Sequence, residues 1–249
     1  MAQKPQKLYH YTSLDSFSKI WVSGHLLFAN SKGTNDIFES KKVLSIGKCT
    51  LPYNNESTQY EVMGHFNKMF WDEVDKYKQI SLVKDYSDNI PGYSSPMMWG
   101  HYAERGKGVC IEIDLEQIII PKNDCYSHSI RYTKNVPIID LNNGEILSTP
   151  ALIQNFIKRN IHRIFFNKHN HWKFENEYRI ISKTLDYLDI KKAITCVYIY
   201  HDIEDVEYKI VKKLLEGSDV AIKLIMTAAT NTRKITAFSH IYFKVVLMR

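Results

Sequence analysis

The chain has 249 residues, 44% of them hydrophobic and 24% charged, which fits one large domain or two small ones around a sizeable core. Ten Gly, seven Pro and 12% aromatics exclude collagen-like, linker-rich and disordered chains. Its apolar runs are too short to span a membrane, so a cytoplasmic protein without a membrane partner is expected. The net charge of +6 is concentrated in residues 151–192, where nine Lys or Arg face four acids. That excess suits an anionic ligand such as a nucleotide or nucleic acid, and equally a solvated helix face.

The opening Met1–His10 stretch carries no apolar signal core. Lys7 to Tyr11 reads as a strand, and Ser13 as the N-cap of a helix. Leu14, Phe17, Ile20 and Trp21 then recur at helical spacing, with Gly24 at the stop position. Leu26 to Ala29 is a second strand, and Gly33 to Glu39 has turn chemistry with polar residues around Phe38. Met63, Phe66, Phe70, Val74 and Tyr77 predict an amphipathic helix over 60–77. Asn89 to Gly92 is a turn, and Pro96 opens a short helix that Gly106-Lys-Gly108 ends. Val109, Ile111 and Ile113 alternate with Cys110, Glu112 and Asp114 as a half-buried strand. Thr149-Pro150 caps a helix whose stripe is Leu152, Phe156, Ile157, Ile161, Ile164 and Phe165. Its other face shows Lys158, Arg159, His162 and Arg163, and the like charges at 159 and 163 repel mildly. Glu177 to Ser182 and Ile194 to Tyr200 are strands. A helix from about 203 to 215, ending at Gly217, and a strand from Val220 to Ile225 complete a local βαβ unit. A last strand closes the chain near 239–248. The expected fold is α+β, a single domain over 1–249 with mixed and antiparallel sheets and flanking helices.

Three stretches can carry chemistry. In Leu8-Tyr-His-Tyr-Thr-Ser13, a strand histidine among hydroxyls can bond a ribose or orient a carbonyl, or serve structure alone. Trp99 and Tyr102 share a helix face, where they pack into the core or stack on a planar heterocycle. The following Gly-Lys-Gly permits a close backbone approach to a ligand. In Trp172 to Ile180, Glu175 and Glu177 flank Asn176, so a strand would point both carboxylates to one face. Such a pair raises one pKa unless basic neighbours offset it, and can stabilise an oxocarbenium-like transition state. The other reading is an exposed strand edge whose glutamates pair with Arg and Lys.

His162, His169 and His171 form a loose His-rich stretch without a recognisable ligand motif. Cys49, Cys110, Cys125 and Cys196 form no C-x-x-C pair and read as free, buried thiols.

The pieces Leu8-Tyr-His-Tyr-Thr-Ser13, Leu26-Leu-Phe28, Asn35-Asp-Ile-Phe-Glu39, Met98-Trp-Gly-His-Tyr102, Gly108-Val-Cys-Ile-Glu112 and Trp172-Lys-Phe-Glu-Asn-Glu-Tyr-Arg-Ile180 resemble a bacterial family named domain of unknown function 2971, in that family's order from residue 8 to about 226. The family tends to carry a Cys-Phe-Ser-like strand before the Trp, and here Ile80-Ser-Leu-Val-Lys84 stands in its place. The layout is in turn similar to that of ADP-ribosyltransferases. That resemblance implies NAD as substrate, with His10 bonding its ribose and Tyr102, or else Trp99, stacking on nicotinamide. It implies that Glu177 stabilises the oxocarbenium ion while Glu175 positions the acceptor, with Tyr11, Thr12 and Arg179 as further NAD contacts. Lys158, Arg159, Arg163 and Lys173 would hold the pyrophosphate or grip a nucleic-acid acceptor. The implied role is a toxin or anti-phage effector that modifies nucleic acid or protein, with an antitoxin or defence-system partner. Two other classes fit the composition: a non-catalytic nucleic-acid-binding module, and a metal-dependent nuclease using His162, His169 and His171.

Overall fold

A computed structural model describes residues 6–30, 45–49, 56–121, 123, 125–135, 138–141, 149–200, 203–227 and 243–247. Its framework is a nine-stranded mixed sheet in the order β15-β14-β13-β6-β1-β5-β11-β7, with β3 also on β5. The strands are β1 (Lys7–Thr12), β3 (Ala29–Asn30), β5 (Lys78–Lys84), β6 (Val109–Asp114), β7 (Cys125–Ser129), β11 (Glu177–Ser182), β13 (Ile194–Tyr200), β14 (Ala221–Thr227) and β15 (Phe243–Leu247). The smaller pairs are β2 (His25–Leu27) with β12 (Tyr187–Asp189), β4 (Ser45–Cys49) with β9 (Ile138–Leu141), and β8 (Arg131–Thr133) with β10 (Asn167–His169). Helices α1 (Leu14–Ser23), α2 (Glu56–Val74), α3 (Pro96–Tyr102), α4 (Pro150–Arg159), α5 (Ile161–Phe165) and α6 (Asp205–Leu215) pack around the sheet. The fold is α+β, as expected. Strands β13 and β14 run parallel with α6 between them, so the βαβ unit read from spacing is present.

The period-two alternation of the strands sorts side chains into layers. On one face Leu8, Leu82, Ile111, Ile180, Val197 and Ile199 meet Phe17 and Ile20 of α1 and Val211 and Leu215 of α6. The opposite face divides in two. Over one half, Tyr9, Val83, Cys110, Cys196 and Tyr198 meet Met98 and Trp99 of α3. Over the other, Ile181 meets Phe66 and Phe70 of α2 and Ile153, Phe156, Ile157 and Phe165 of α4 and α5.

Caps fall where the sequence puts them. The Ser13 hydroxyl accepts from the Ser16 N–H at 3.1 Å, and Gly24 closes α1 in the left-handed region at φ 75°. Three expectations change. Val109, Cys110 and Ile111 are all buried, because β6 is an interior strand covered on both faces rather than half-buried. The single helix after Thr149-Pro150 is two, broken at Asn160, whose N–H is bonded by the carbonyls of Phe156 and Ile157. That break removes the regular i,i+4 relation between Arg159 and Arg163, and Leu152 stands 41% exposed instead of joining the apolar stripe. The 26–29 strand is divided into β2 and β3 at Phe28, whose N–H bonds the Asp186 carbonyl. The turn at 33–39, the thiol of Cys49 and the parts of the closing strand outside 243–247 lie beyond the described residues. Cys110, Cys125 and Cys196 are free and buried.

Candidate functional site

The site begins with a split in the sheet. Strand β1 pairs with β6 along its whole length, from Lys7 to Thr12. With β5 it pairs at Leu8↔Lys84 and Tyr9↔Val83, while the far end of β5 takes β3 at Ala29↔Gln79 and Asn30↔Lys78. Where β1 leaves β5 a cleft of about 300 Å³ opens. Its lining includes His10 and Tyr11 of β1, Gln79 and Ser81 of β5, Tyr102 of α3, Lys168, Glu175 and Glu177. That volume is at the small end of ligand pockets.

Strand register explains who faces whom. Directly paired residues of antiparallel strands project to the same side. Val83 lies opposite Tyr9 on β1 and opposite Glu177 on β11, and Ser81 lies opposite Arg179 two places along. Glu177, Ser81 and Arg179 therefore share one face, and they bond. The Glu177 Oε1 accepts from Ser81 Oγ at 2.6 Å and from Arg179 Nε at 2.7 Å. Its Oε2 accepts from Arg179 Nη2 at 3.1 Å and pairs with Lys168 Nζ at 3.0 Å. The Arg179 fork is fixed in turn by Nη1 donating to the Phe165 carbonyl at 2.7 Å.

Glu175 reaches the same place by a different route. It is not on a strand. It ends a 3₁₀ turn (Asn170–Glu175), and Asn176 then adopts a left-handed conformation at φ 42° and ψ 49°. Asn tolerates that region, and here its amide donates to the carbonyls of Lys84 and Asp85, at 3.2 and 2.9 Å, so the reversal is held. Strand-like alternation of the two glutamates is thus corrected to a turn followed by a strand. Glu175 Oε2 still accepts from Lys168 Nζ at 2.7 Å, and its Oε1 accepts from the Tyr102 hydroxyl. Both carboxylates are buried, and β11 lies between β5 and β7, so the exposed-edge reading is set aside.

Electrostatics follow from these partners. Burial pushes the Glu177 carboxyl up, but the charges of Arg179 and Lys168 and the bonds from Arg179 and Ser81 outweigh it and bring its pKa down to about 2. At this residue basic neighbours offset the repulsion between the carboxylates, as the sequence allows, because two cations sit within bonding distance. His10 is pushed down to about 4 by burial, against a weaker opposing effect of its bond to the Ser81 backbone, so its imidazole is neutral near pH 7.

Other expected residues fall elsewhere. Trp99 is buried, donates Nε1–H to the Tyr93 carbonyl at 2.8 Å and meets Tyr11 edge-on at 5.2 Å. It is core, not a stacking plate. Tyr11 lines the cleft, with its hydroxyl donating to the Gly92 carbonyl at 2.6 Å. Thr12 is buried outside the lining, against Gly108, where an added Cβ would come within 2.2 Å of the Thr12 carbonyl oxygen. That glycine serves chain packing rather than approach to a ligand. Arg179 stands behind Glu177 rather than in the cleft lining. Lys158, Arg159, Arg163 and Lys173 are exposed and outside the lining. Of the basic 151–192 stretch it is Lys168 that lines the cleft, a residue that spacing did not single out.

His162 packs against His128 and Phe166, while His169 and His171 meet edge-on at 4.3 Å. Among the described residues no group of three or more His, Cys, Asp or Glu is arranged to hold a metal ion. Among them, too, no helix is long and apolar enough to cross a membrane. Sequence reasoning missed Ser81, Gln79, Tyr132 and Lys168. Tyr132 accepts from the Glu177 backbone N–H at 2.9 Å. A common residue type at no special spacing gave no signal for any of them.

Residues 98–180, which hold Tyr102, Lys168, Glu175 and Glu177, match the model of a family described as "Protein of unknown function (DUF2971)". The matched segment contains three of the six pieces that suggested this resemblance: Met98 to Tyr102, Gly108 to Glu112 and Trp172 to Ile180. None of the curated proteins matches the chain.

Proposed function

We propose that the cleft binds a nicotinamide dinucleotide and cleaves its glycosidic C–N bond, transferring ADP-ribose to an acceptor. The observation that carries this reading is that His10, Tyr102, Glu175 and Glu177 all line one cleft. Nicotinamide is a cationic leaving group. Its bond to ribose breaks with both electrons passing to the ring nitrogen, so the ring leaves neutral and the sugar becomes an oxocarbenium ion. Such a step needs little acid catalysis; it needs geometry and a carboxylate near the developing charge. Glu177 supplies the carboxylate, and its depressed pKa keeps it ionised. A neutral His10 donates or accepts a ribose hydrogen bond without repelling a cationic ring. Glu175 receives the proton of the acceptor as the new bond to ribose forms. Exposed Lys158, Arg159, Arg163 and Lys173 favour an anionic acceptor, nucleic acid included, gripped through its phosphates.

The test is release of nicotinamide, or label transfer, from NAD. Glu177→Gln is expected to lower the rate by about 10²- to 10³-fold, the scale of losing one preorganised electrostatic group. Equal rates in a folded Glu177→Gln protein would overturn the reading.

A further inference from the structure

Lys168 is buried, and its ammonium bridges the two carboxylates, 2.7 Å from Glu175 Oε2 and 3.0 Å from Glu177 Oε2. It also lies 5.6 Å from the centre of the Trp172 ring. The oxygens on which a cationic ligand would rest are therefore already matched by a cation. Two carboxylates meet two cations, Lys168 and Arg179, and His10 adds no charge near pH 7. A ligand carrying only positive charge competes with an ammonium for these oxygens. One carrying only negative charge meets the carboxylates. Arg179 is not free to move, since its fork is on Glu177 and its remaining arm is on the Phe165 carbonyl. Lys168, a point charge on a flexible stem with three rotatable donors, can change partners.

Resting on the dinucleotide reading above, we propose that Lys168 is the residue that makes the cleft specific for zwitterionic ligands, in which a cationic heterocycle is joined to a phosphate. On binding, its ammonium exchanges Glu175 and Glu177 for the phosphate of the ligand, and the two oxygens it leaves, Glu175 Oε2 and Glu177 Oε2, are open to the cationic ring while Arg179 keeps Glu177 in place. Binding thereby uncovers the group that the reaction uses, and a ligand lacking phosphate leaves it covered.

The experiment uses the full chain and three probes at one ionic strength: NAD, nicotinamide riboside (cation without phosphate) and ADP-ribose (phosphate without cation). Affinity is measured by calorimetry, and Trp172 emission reports whether the nearby ammonium moves, with Trp172→Phe to assign the signal. The wild type is expected to bind NAD at least about tenfold more tightly than either half-ligand, with an emission change for NAD and none for the riboside. Lys168→Met is expected to lose about tenfold for NAD and to gain affinity for the riboside, because its carboxylates are uncovered. Lys168→Arg, which keeps the charge, is expected to retain the preference for NAD. If Lys168→Met folds and keeps the wild-type ratio of NAD to riboside affinity, the role of Lys168 is overturned and the dinucleotide reading stands. If the Met variant does not fold, the wild-type ligand series decides, and equal affinity for NAD and the riboside overturns the proposal. A wild type that binds none of the three removes the dinucleotide reading and this proposal with it.

Discussion

Glu177 remains ionised in a buried position because every oxygen it presents is met by a donor: Arg179, Ser81 and Lys168. Its folded pKa of about 2 lies below the ordinary 4.5, so the unfolded chain takes up this proton first as acid is added. The stabilisation is complete above about pH 4.5 and is lost as pH falls towards 2; denaturant titrations across that range should show a shallower acid limb in Glu177→Gln. His10 acts in the same sense at a higher window. Its pKa falls from 6.5 to about 4 on folding, so stability declines as pH drops between those values. His10→Gln should flatten that stretch of the curve, and an unchanged slope would show that His10 is not the group responsible. At this scale the candidates visible in the sequence were those with unusual chemistry or a paired arrangement, namely His10, Tyr102, Glu175 and Glu177. Ser81 and Lys168 were not visible. A serine and a lysine acquire their roles here only from what lies across the sheet from them.

Elements built from local rules were legible. The Ser13 cap, the Gly24 stop, the Pro96 start of α3 and the Phe66, Phe70 and Val74 stripe of α2, which runs from Glu56 to Val74 and stops short of the expected Tyr77, each depend on residues within a few positions of one another. Ser13→Ala should therefore cost about 1 kcal/mol, read as a shift in denaturant midpoint at constant slope, because the Ser16 N–H loses its partner. Among the strands that the sequence does not mark, β5 has seven residues but no clean alternation, since both its faces are covered, and β4, β7, β8, β9, β10 and β12 have three to five each. Their length gives periodicity too little room to register, and their pairing partners are distant in sequence. Helix α5 reads as a continuation of α4 for a related reason. Asn160 is not a strong breaker by composition, and the chain turns there to bring Phe165 to Arg179 and Tyr77.

At the scale of the whole molecule, Arg179 joins the sheet to the helical layer, holding Glu177 of β11 on one side and the Phe165 carbonyl of α5 on the other. Arg179→Met should destabilise the protein by about 3 kcal/mol or more, since it strands a buried carboxylate and a carbonyl. In Glu177→Met combined with Arg179→Met, much of that loss should return, as measured by a double-mutant cycle on unfolding free energy. If the double variant is as unstable as the sum of the singles, the pair is not coupled in this way.

The amino-acid order alone carried the α+β class, strands β1, β6, β11, β13 and β14, the caps and the three stretches able to do chemistry, because each of these is a property of neighbouring residues. It could not fix whether those stretches meet. The departure of β1 from β5 opens the cleft, and the register Tyr9–Val83–Glu177 decides which side chains enter it. Both are consequences of hydrogen bonding between strands far apart in sequence. A one-residue slip of that pairing would turn Glu177 to the opposite face. The same long-range packing buried Trp99, left Lys158, Arg159, Arg163 and Lys173 on the surface, and brought Lys168 between the two glutamates.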